Sequence, residues 1–316
     1  MGYSDMGSRS FLLLATISLL LFTGCASKPI EDSDSLSLTT ARYGHAVVND
    51  GKNIYVIAGS GRRGLLSDIE VIEPSTGKIE VLKGRLIRRR YFSAVWDGDR
   101  SIYIIGGISI INRIPRLEKR VEVFDTVTRE VRFAKQLPFS TRTNSAVHLG
   151  ENIFVFGGSY YNKDKLVASP VVAVLNKFSG EWMRAADMPT AKSTRTVARN
   201  GMIYAIGGYN EKDSLDVFER FDPVMNTWES LPPIPAKISA HSVSVIKDKI
   251  FTFGNYNDLA STYSYDFNTQ KWEKVSIGFK ASRHNAATTL GDTTYIIGGT
   301  TTTEGKVLNY VQPFKL

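Results

Sequence analysis

Residues 102–107 read Ile102-Tyr103-Ile104-Ile105-Gly106-Gly107, an apolar run of strand length stopped by a glycine pair. The pattern returns as IYVIAGS over 54–60, IFVFGG over 153–158, IYAIGG over 203–208, IFTFGN over 250–255 and TYIIGG over 294–299. From Gly59 the successive spacings are 48, 51, 50, 47 and 44 residues. A period near 50 means that one supersecondary unit is stacked repeatedly, each burying its apolar face on the next. The glycine pairs permit positive φ and a close approach of neighbouring units. No helix pattern follows them, so they are not phosphate loops.

More of the repeat falls into register outward from these runs. A turn residue ends a third strand and a large apolar residue follows six positions later: Glu73 and Ile79, Asp125 and Val131, Asn176 and Trp182, Asp222 and Trp228, Asp266 and Trp272. Asp and Asn suit such turns because their side chains accept from nearby backbone amides. The double glycine, the turn and the tryptophan together resemble the Kelch repeat, and the resemblance covers about residues 34–316. It implies an all-β, six-bladed Kelch β-propeller with four-stranded blades over 33–316. The sixth repeat stops at Gln312-Pro313, which aligns with Asp222-Pro223 and leaves its fourth strand missing. Residues 33–40, SDSLSLTT, alternate polar with apolar and are expected to supply that strand, so that the last blade is closed by an N-terminal strand and no edge stays open.

The first residues belong to something else. The run FLLLATISLLLF over 11–22 has the length of a signal-peptide core and is too short to span a bilayer comfortably. It ends at Phe22-Thr23-Gly24-Cys25, which resembles the lipobox of bacterial lipoproteins, although Phe22 departs from the usual Leu. The resemblance implies cleavage after residue 24 and lipidation of Cys25, with 1–24 as signal peptide and 25–32 as lipidated N-terminus and tether. The protein is then expected in the cell envelope, held to the membrane by its N-terminal lipid. Ala26 is not the aspartate that retains lipoproteins in the inner membrane, so the outer membrane facing the periplasm is the expected destination. Cys25 is the only cysteine, which excludes an intramolecular disulfide and a multi-thiolate zinc site.

The formal net charge is +8, and Asp5 and Arg9 cancel within the leader, so the excess belongs to the folded part. That balance favours anionic partners. Nucleic acid is not expected, since no basic helix or nucleic-acid motif is present. The sequence carries no HExxH, GxSxG or P-loop. Its four histidines, His45, His148, His241 and His284, are read at different offsets in their repeats, and neither a metal site nor a cofactor is expected. Galactose oxidase-like propellers need a cysteine-modified tyrosine, and here the sole cysteine stands at the lipid position.

One constellation stands out. Three residues before His45, Ser93, Ser145, Arg195, Ser242 and Ala286 lie Arg42, Arg90, Arg142, Lys192, Ser239 and Arg283. In the Kelch architecture the first strand lines the central channel, so Arg42, Arg90, Arg142, Lys192 and Arg283 are expected to form a cationic ring at one mouth. Such a ring either binds an anion or pairs with loop carboxylates. Arg195 adds a further cation on blade four, while Arg88 and Arg89 read as a solvated loop. The basic, apolar insert from Ile108 to Arg120 and the loop from Ser159 to Ser169, with Tyr160 and Tyr161, either contact a partner or cover a blade edge. These features describe a monomeric binding or scaffold module for a protein or acidic glycan partner. The alternative is an enzyme resembling the N-acetylneuraminate mutarotases of secreted bacterial Kelch proteins, which need a carboxylate clamp and an acid–base pair.

Overall fold

The computed structural model describes residues 1–2, 36–301 and 305–316; the leader, Cys25 and the tether lie outside the described residues. Every regular element among the described residues is a strand. Blade one is a four-stranded antiparallel sheet of Ala46–Asn49, Ile54–Ile57, Ile69–Glu73 and Lys78–Leu82. Four more such sheets follow, with inner strands Ser93–Trp96, Ser145–Leu149, Ser193–Arg199 and Ser242–Ile246. Blade six contributes Ala286–Leu290, Thr293–Ile297 and Val311–Lys315. The six inner strands touch in ring order, and the last touches the first, so the sheets close around one axis.

Each apolar core lies between two blades rather than within one. Tyr55, Ile57, Ile69 and Val71 of blade one pack on Ile102, Ile104 and Phe124 of blade two. Five similar clusters complete the circle, and the one closing it joins Ile54, Val56 and Ile72 to Ile297, Val311 and Leu38. Second strands such as Ile54–Ile57 are buried along their whole length, which is why they read as unbroken apolar runs. The glycine pair lets one blade meet its own inner strand closely. A Cβ on Gly107, at φ +96°, would stand 2.7 Å from Phe92 Cβ and 2.9 Å from the Arg90 carbonyl.

The turn reading holds in detail. Third strands end at Glu73, Asp125, Asn176, Asp222 and Asp266. In the last four the side-chain oxygen accepts two backbone N–H groups of the turn, as Asp222 does from Val224 and Met225 at 2.9 and 3.0 Å. Trp182 and Trp228 each donate an indole N–H to the carbonyl of the preceding blade's outer edge, Lys135 at 3.0 Å and Ala186 at 2.9 Å.

Closure comes from the N-terminal segment. Ser37 bridges Tyr310, the Leu38 amide donates to Asn309 at 2.7 Å, and the Val311 amide donates to Leu36 at 3.2 Å. Residues 33–35 of the expected strand lie outside the described residues. One alignment is corrected. Gln312 pairs with Ile296 as Glu219 pairs with Ala205, so Gln312 corresponds to Glu219 and the third strand of blade six continues to Lys315. The segments expected as loops are hairpins above the blades: Ile108–Ile111 with Ile114–Leu117, and Ser159–Asn162 with Lys165–Ala168. They leave Ile110, Ile111, Ile114 and Tyr161 exposed.

Candidate functional site

Counting back from the glycines merges two positions that the structure separates. The deeper one accepts a hydrogen bond from the glycine pair of the preceding blade: Gly59 N–H to Arg89, Gly107 to Thr141, Gly158 to Lys192, Gly208 to Ile238 and Gly299 to Arg42. The shallower one, at the channel mouth, holds Tyr43, Arg90, Arg142 and Arg283, which bridge the residue after the glycine pair. Arg42 and Lys192 therefore do not join Arg90, Arg142 and Arg283, and the expected ring of five divides.

Arg42 and Lys192 are consumed by buried ion pairs. The Arg42 guanidinium, with no exposed surface, meets Asp68 at 2.8 Å and Glu70, and donates to the Ala58 carbonyl at 3.0 Å. Lys192 meets Glu219 in an equally buried pair. Burial pushes the Lys192 ammonium below its ordinary range and Glu219 opposes the shift. Arg89, expected in a solvated loop, is instead buried against Glu122 and donates to Gly106 at 2.9 Å. Each partner glutamate holds one register position in the third strand, opposite Val56, Ile104 and Ala205. In the remaining blades both positions are neutral: Thr141 with Ala173, Ile238 with Tyr263, Ser282 with Gln312. This covariation within one chain was the available signal, and reasoning from the cations alone passed over it.

At the mouth, the remaining cations surround a cluster of rings. Tyr91 and His284 stand 5.1 Å apart by ring centroid, with Tyr43 6.2 Å from Tyr91 and Tyr256 6.4 Å from His284. Arg90 donates to the Tyr43 hydroxyl at 2.7 Å and lies 5.1 Å from the Tyr91 centroid. Arg283 lies 3.9 Å from the Tyr256 centroid and donates to the Tyr256 carbonyl at 3.1 Å. Burial raises the Tyr91 phenol, against the pull of Arg90, Arg142 and Arg283. Burial, then Arg283, Arg195 and Arg90, lower His284 to about 3, so its imidazole is neutral at pH 7. Arg90 and Arg283 thus act on both rings, Arg142 on Tyr91 and Arg195 on His284.

Beside that cluster a cavity of about 330 Å³ opens, lined by Tyr91, Arg142, Thr143, Ser193, Arg195, Glu211, His241, Tyr256 and His284 among others. Among the described residues, the one carboxylate lining it is Glu211. Its oxygens accept from Ser159 and lie 3.5 Å from Arg142. Arg195 has no such neighbour. Its Nε donates to the His241 carbonyl at 3.2 Å and its Nη1 to the Thr194 carbonyl at 3.4 Å, and loss of hydration alone lowers its pKa. His241, at the same position as His45 rather than at a different offset, is held near 3 by burial and then by Arg195. No group of three His, Cys, Asp or Glu side chains suited to a metal occurs among the described residues.

The model of the KLHDC2/KLHL20/DRC7 Kelch-repeats domain matches residues 44–255. Kelch-like protein 38 of Homo sapiens is 26% identical over 172 residues, which are 52% of this chain and 30% of that protein. Kelch-like protein 35 of Mus musculus is 27% identical over 169 residues, 52% of this chain and 28% of that protein. Beta-scruin of Limulus polyphemus is 27% identical over 250 residues, 73% of this chain and 27% of that protein. The chain thus spans less than a third of the length of these curated relatives.

Proposed function

This chain belongs to the Kelch-repeat family, and we propose that it is an envelope-anchored binding module whose channel mouth takes an anionic group of a protein or glycan partner. Kelch-repeat proteins serve as protein-binding and scaffolding modules, which supports the coarser part of this reading. The observation that carries the finer part is the convergence of Arg90, Arg195 and Arg283, none within ion-pair reach of a carboxylate among the described residues, beside an open cavity. Structural arginines elsewhere in this ring, Arg42 and Arg89, have their glutamates. Cations left without partners repel one another, and an entering anion relieves that repulsion. The anchor is proposed from Phe22-Thr23-Gly24-Cys25, with the outer membrane facing the periplasm as destination.

The test is binding by the purified chain to an acidic-glycan array and to capped acidic peptides over a range of salt. Salt-sensitive, saturable binding supports the reading, and indifference to every anion overturns it. Mass spectrometry of the mature N-terminus tests the anchor, which an unmodified Cys25 thiol would refute.

A second reading has its own observation. Glu211 shares the cavity with Arg142 and two neutral imidazoles, His241 and His284, a set with the parts for proton transfer beside a carboxylate clamp. This favours a sugar-active enzyme of the sialic acid mutarotase type. NMR of anomer exchange in N-acetylneuraminate tests it: acceleration lost in Glu211→Gln supports the enzyme, and exchange at the uncatalysed rate refutes it.

A further inference from the structure

We propose that a residue missing from blade four opens a seat for a single carboxylate group, and that Arg195 anchors it. This rests on the anion-binding reading of the mouth and narrows it to one position.

Five blades place a left-handed residue at the mouth: Gly44, Tyr91, Thr143, Ala240 and His284, with φ between 53° and 58°. These residues link neighbouring blades in a backbone belt. His284 N–H donates to Ala240 at 2.7 Å, Gly44 to His284 at 3.0 Å, Tyr91 to Gly44 at 2.8 Å and Thr143 to Tyr91 at 2.6 Å. Blade four has no such residue. Four positions separate Arg42 from Ala46 and Arg89 from Ser93, but only three separate Lys192 from Arg195. The inner strand of blade four therefore runs straight from Ser193, with a register shift between Ser193 and Arg195. The belt stops at Thr143 on one side and Ala240 on the other, and both residues line the cavity.

Arg195 sits in that opening for a second reason. It pairs with Ile206, the residue before the glycine pair, a position held in the other blades by Ala46, Ser93, Ser145, Ser242 and Ala286. Five small side chains and one guanidinium make the site lopsided. Two of its N–H groups are committed to carbonyls, which leaves three of the five that a guanidinium carries, enough for a two-pronged grip on a carboxylate. Hydroxyls stand close by, Thr143 Oγ1 and Ser159 Oγ within 2.7 and 3.0 Å of Ser193 Oγ. The carboxylate comes from a small free acid or from an acidic side chain of a protein, and the test separates these sources.

The full chain is titrated calorimetrically with glucuronate, with its uncharged methyl ester, and with a capped peptide of alternating Glu and Gly. Wild type is expected to bind glucuronate or the peptide and to ignore the ester; whichever binds identifies the source. Arg195→Met weakens binding at least tenfold, and Arg195→Lys, which keeps the charge without the fork, falls between. Insertion of one Gly between Ser193 and Thr194 restores the belt and abolishes binding, while circular dichroism stays unchanged. Binding that survives Arg195→Met but is lost in Arg90→Met or Arg283→Met overturns the seat and leaves the anion-binding mouth standing. A wild type that binds neither acid nor peptide ends both.

Discussion

Removing the carboxylate of Glu219 strands the ammonium of Lys192 where both side chains are almost wholly inaccessible, 0% and 1% exposed. Glu219→Gln keeps the volume and loses the charge. The cost of leaving one member of such a pair behind is about 3–5 kcal/mol. Lys192→Met strands the glutamate and costs a similar amount. The double substitution Lys192→Met with Glu219→Leu buries no charge and leaves only the Thr190 hydroxyl without its 2.8 Å acceptor, about 1 kcal/mol. Blades three, five and six already live without a pair at this position, as Thr141 and Ala173, Ile238 and Tyr263, and Ser282 and Gln312 attest. The double variant is therefore expected to be more stable than either single one, with a coupling of several kcal/mol in a double-mutant cycle measured by denaturant unfolding. Additive losses, or single losses under about 1 kcal/mol, would refute the reasoning.

Acid should weaken the fold through its histidines. His45, His241 and His284 are held near 3, below their ordinary 6.5, first by burial. Between those values the unfolded chain binds more protons, so stability is complete above about pH 6.5 and falls as pH drops, by up to about 1.4 kcal/mol per pH unit for each histidine; equilibrium unfolding at pH 4 to 7 that shows no such slope contradicts the burial. Deleting residues 36–40 removes Leu38 from the core between blades six and one and the Thr39 and Thr40 amides from Glu70, at 2.7 and 3.0 Å. The buried leucine alone stabilises by roughly 1.5–3 kcal/mol, so the truncated chain should melt several degrees lower or aggregate, whereas deletion of residues 26–31 should leave the melt unchanged. Gly107→Ala places a Cβ against Phe92 and the Arg90 carbonyl at φ +96° and should cost more than Gly51→Ala, around which nothing stands within 4 Å; thermal melts of the two rank them.

The sequence made the blades legible because their signals are local. A buried second strand needs an unbroken apolar run, the close approach behind it needs glycine, and the turn beyond needs an Asp or Asn oxygen. Each leaves its mark within a few residues. The mouth was harder, because residues there are placed by counting across turns whose lengths vary. Blade two spends one extra residue between Trp96 and Ile102, and blade four lacks one before Arg195. A slip of one residue separates Arg89, buried on Glu122, from Arg90, at the mouth. The same slip placed Lys192 where Ser193 belongs and hid the equivalence of His45 and His241. What the count did find, Arg90, Arg142 and Arg283 together, came from blades in which the mouth residue stands three positions before Ser93, Ser145 and Ala286.

The contact between Leu38 and Asn309 spans 271 residues, nearly the length of the domain. A growing chain holds the first of these residues from the outset and cannot use it until the last repeat has been made. Blades one to five can pair their strands as each emerges, since those pairings are local hairpins, but the final seam waits on the whole. Contacts of such separation form late because the intervening chain must first give up its freedom. Until the seam forms, Ile54 and Val56 face no Ile297, and the Val311 amide lacks its Leu36 acceptor. Assembly of the circle is therefore gated by its two ends, and a substitution in residues 36–40 or 305–316 should slow maturation more than an equally destabilising one in a middle blade.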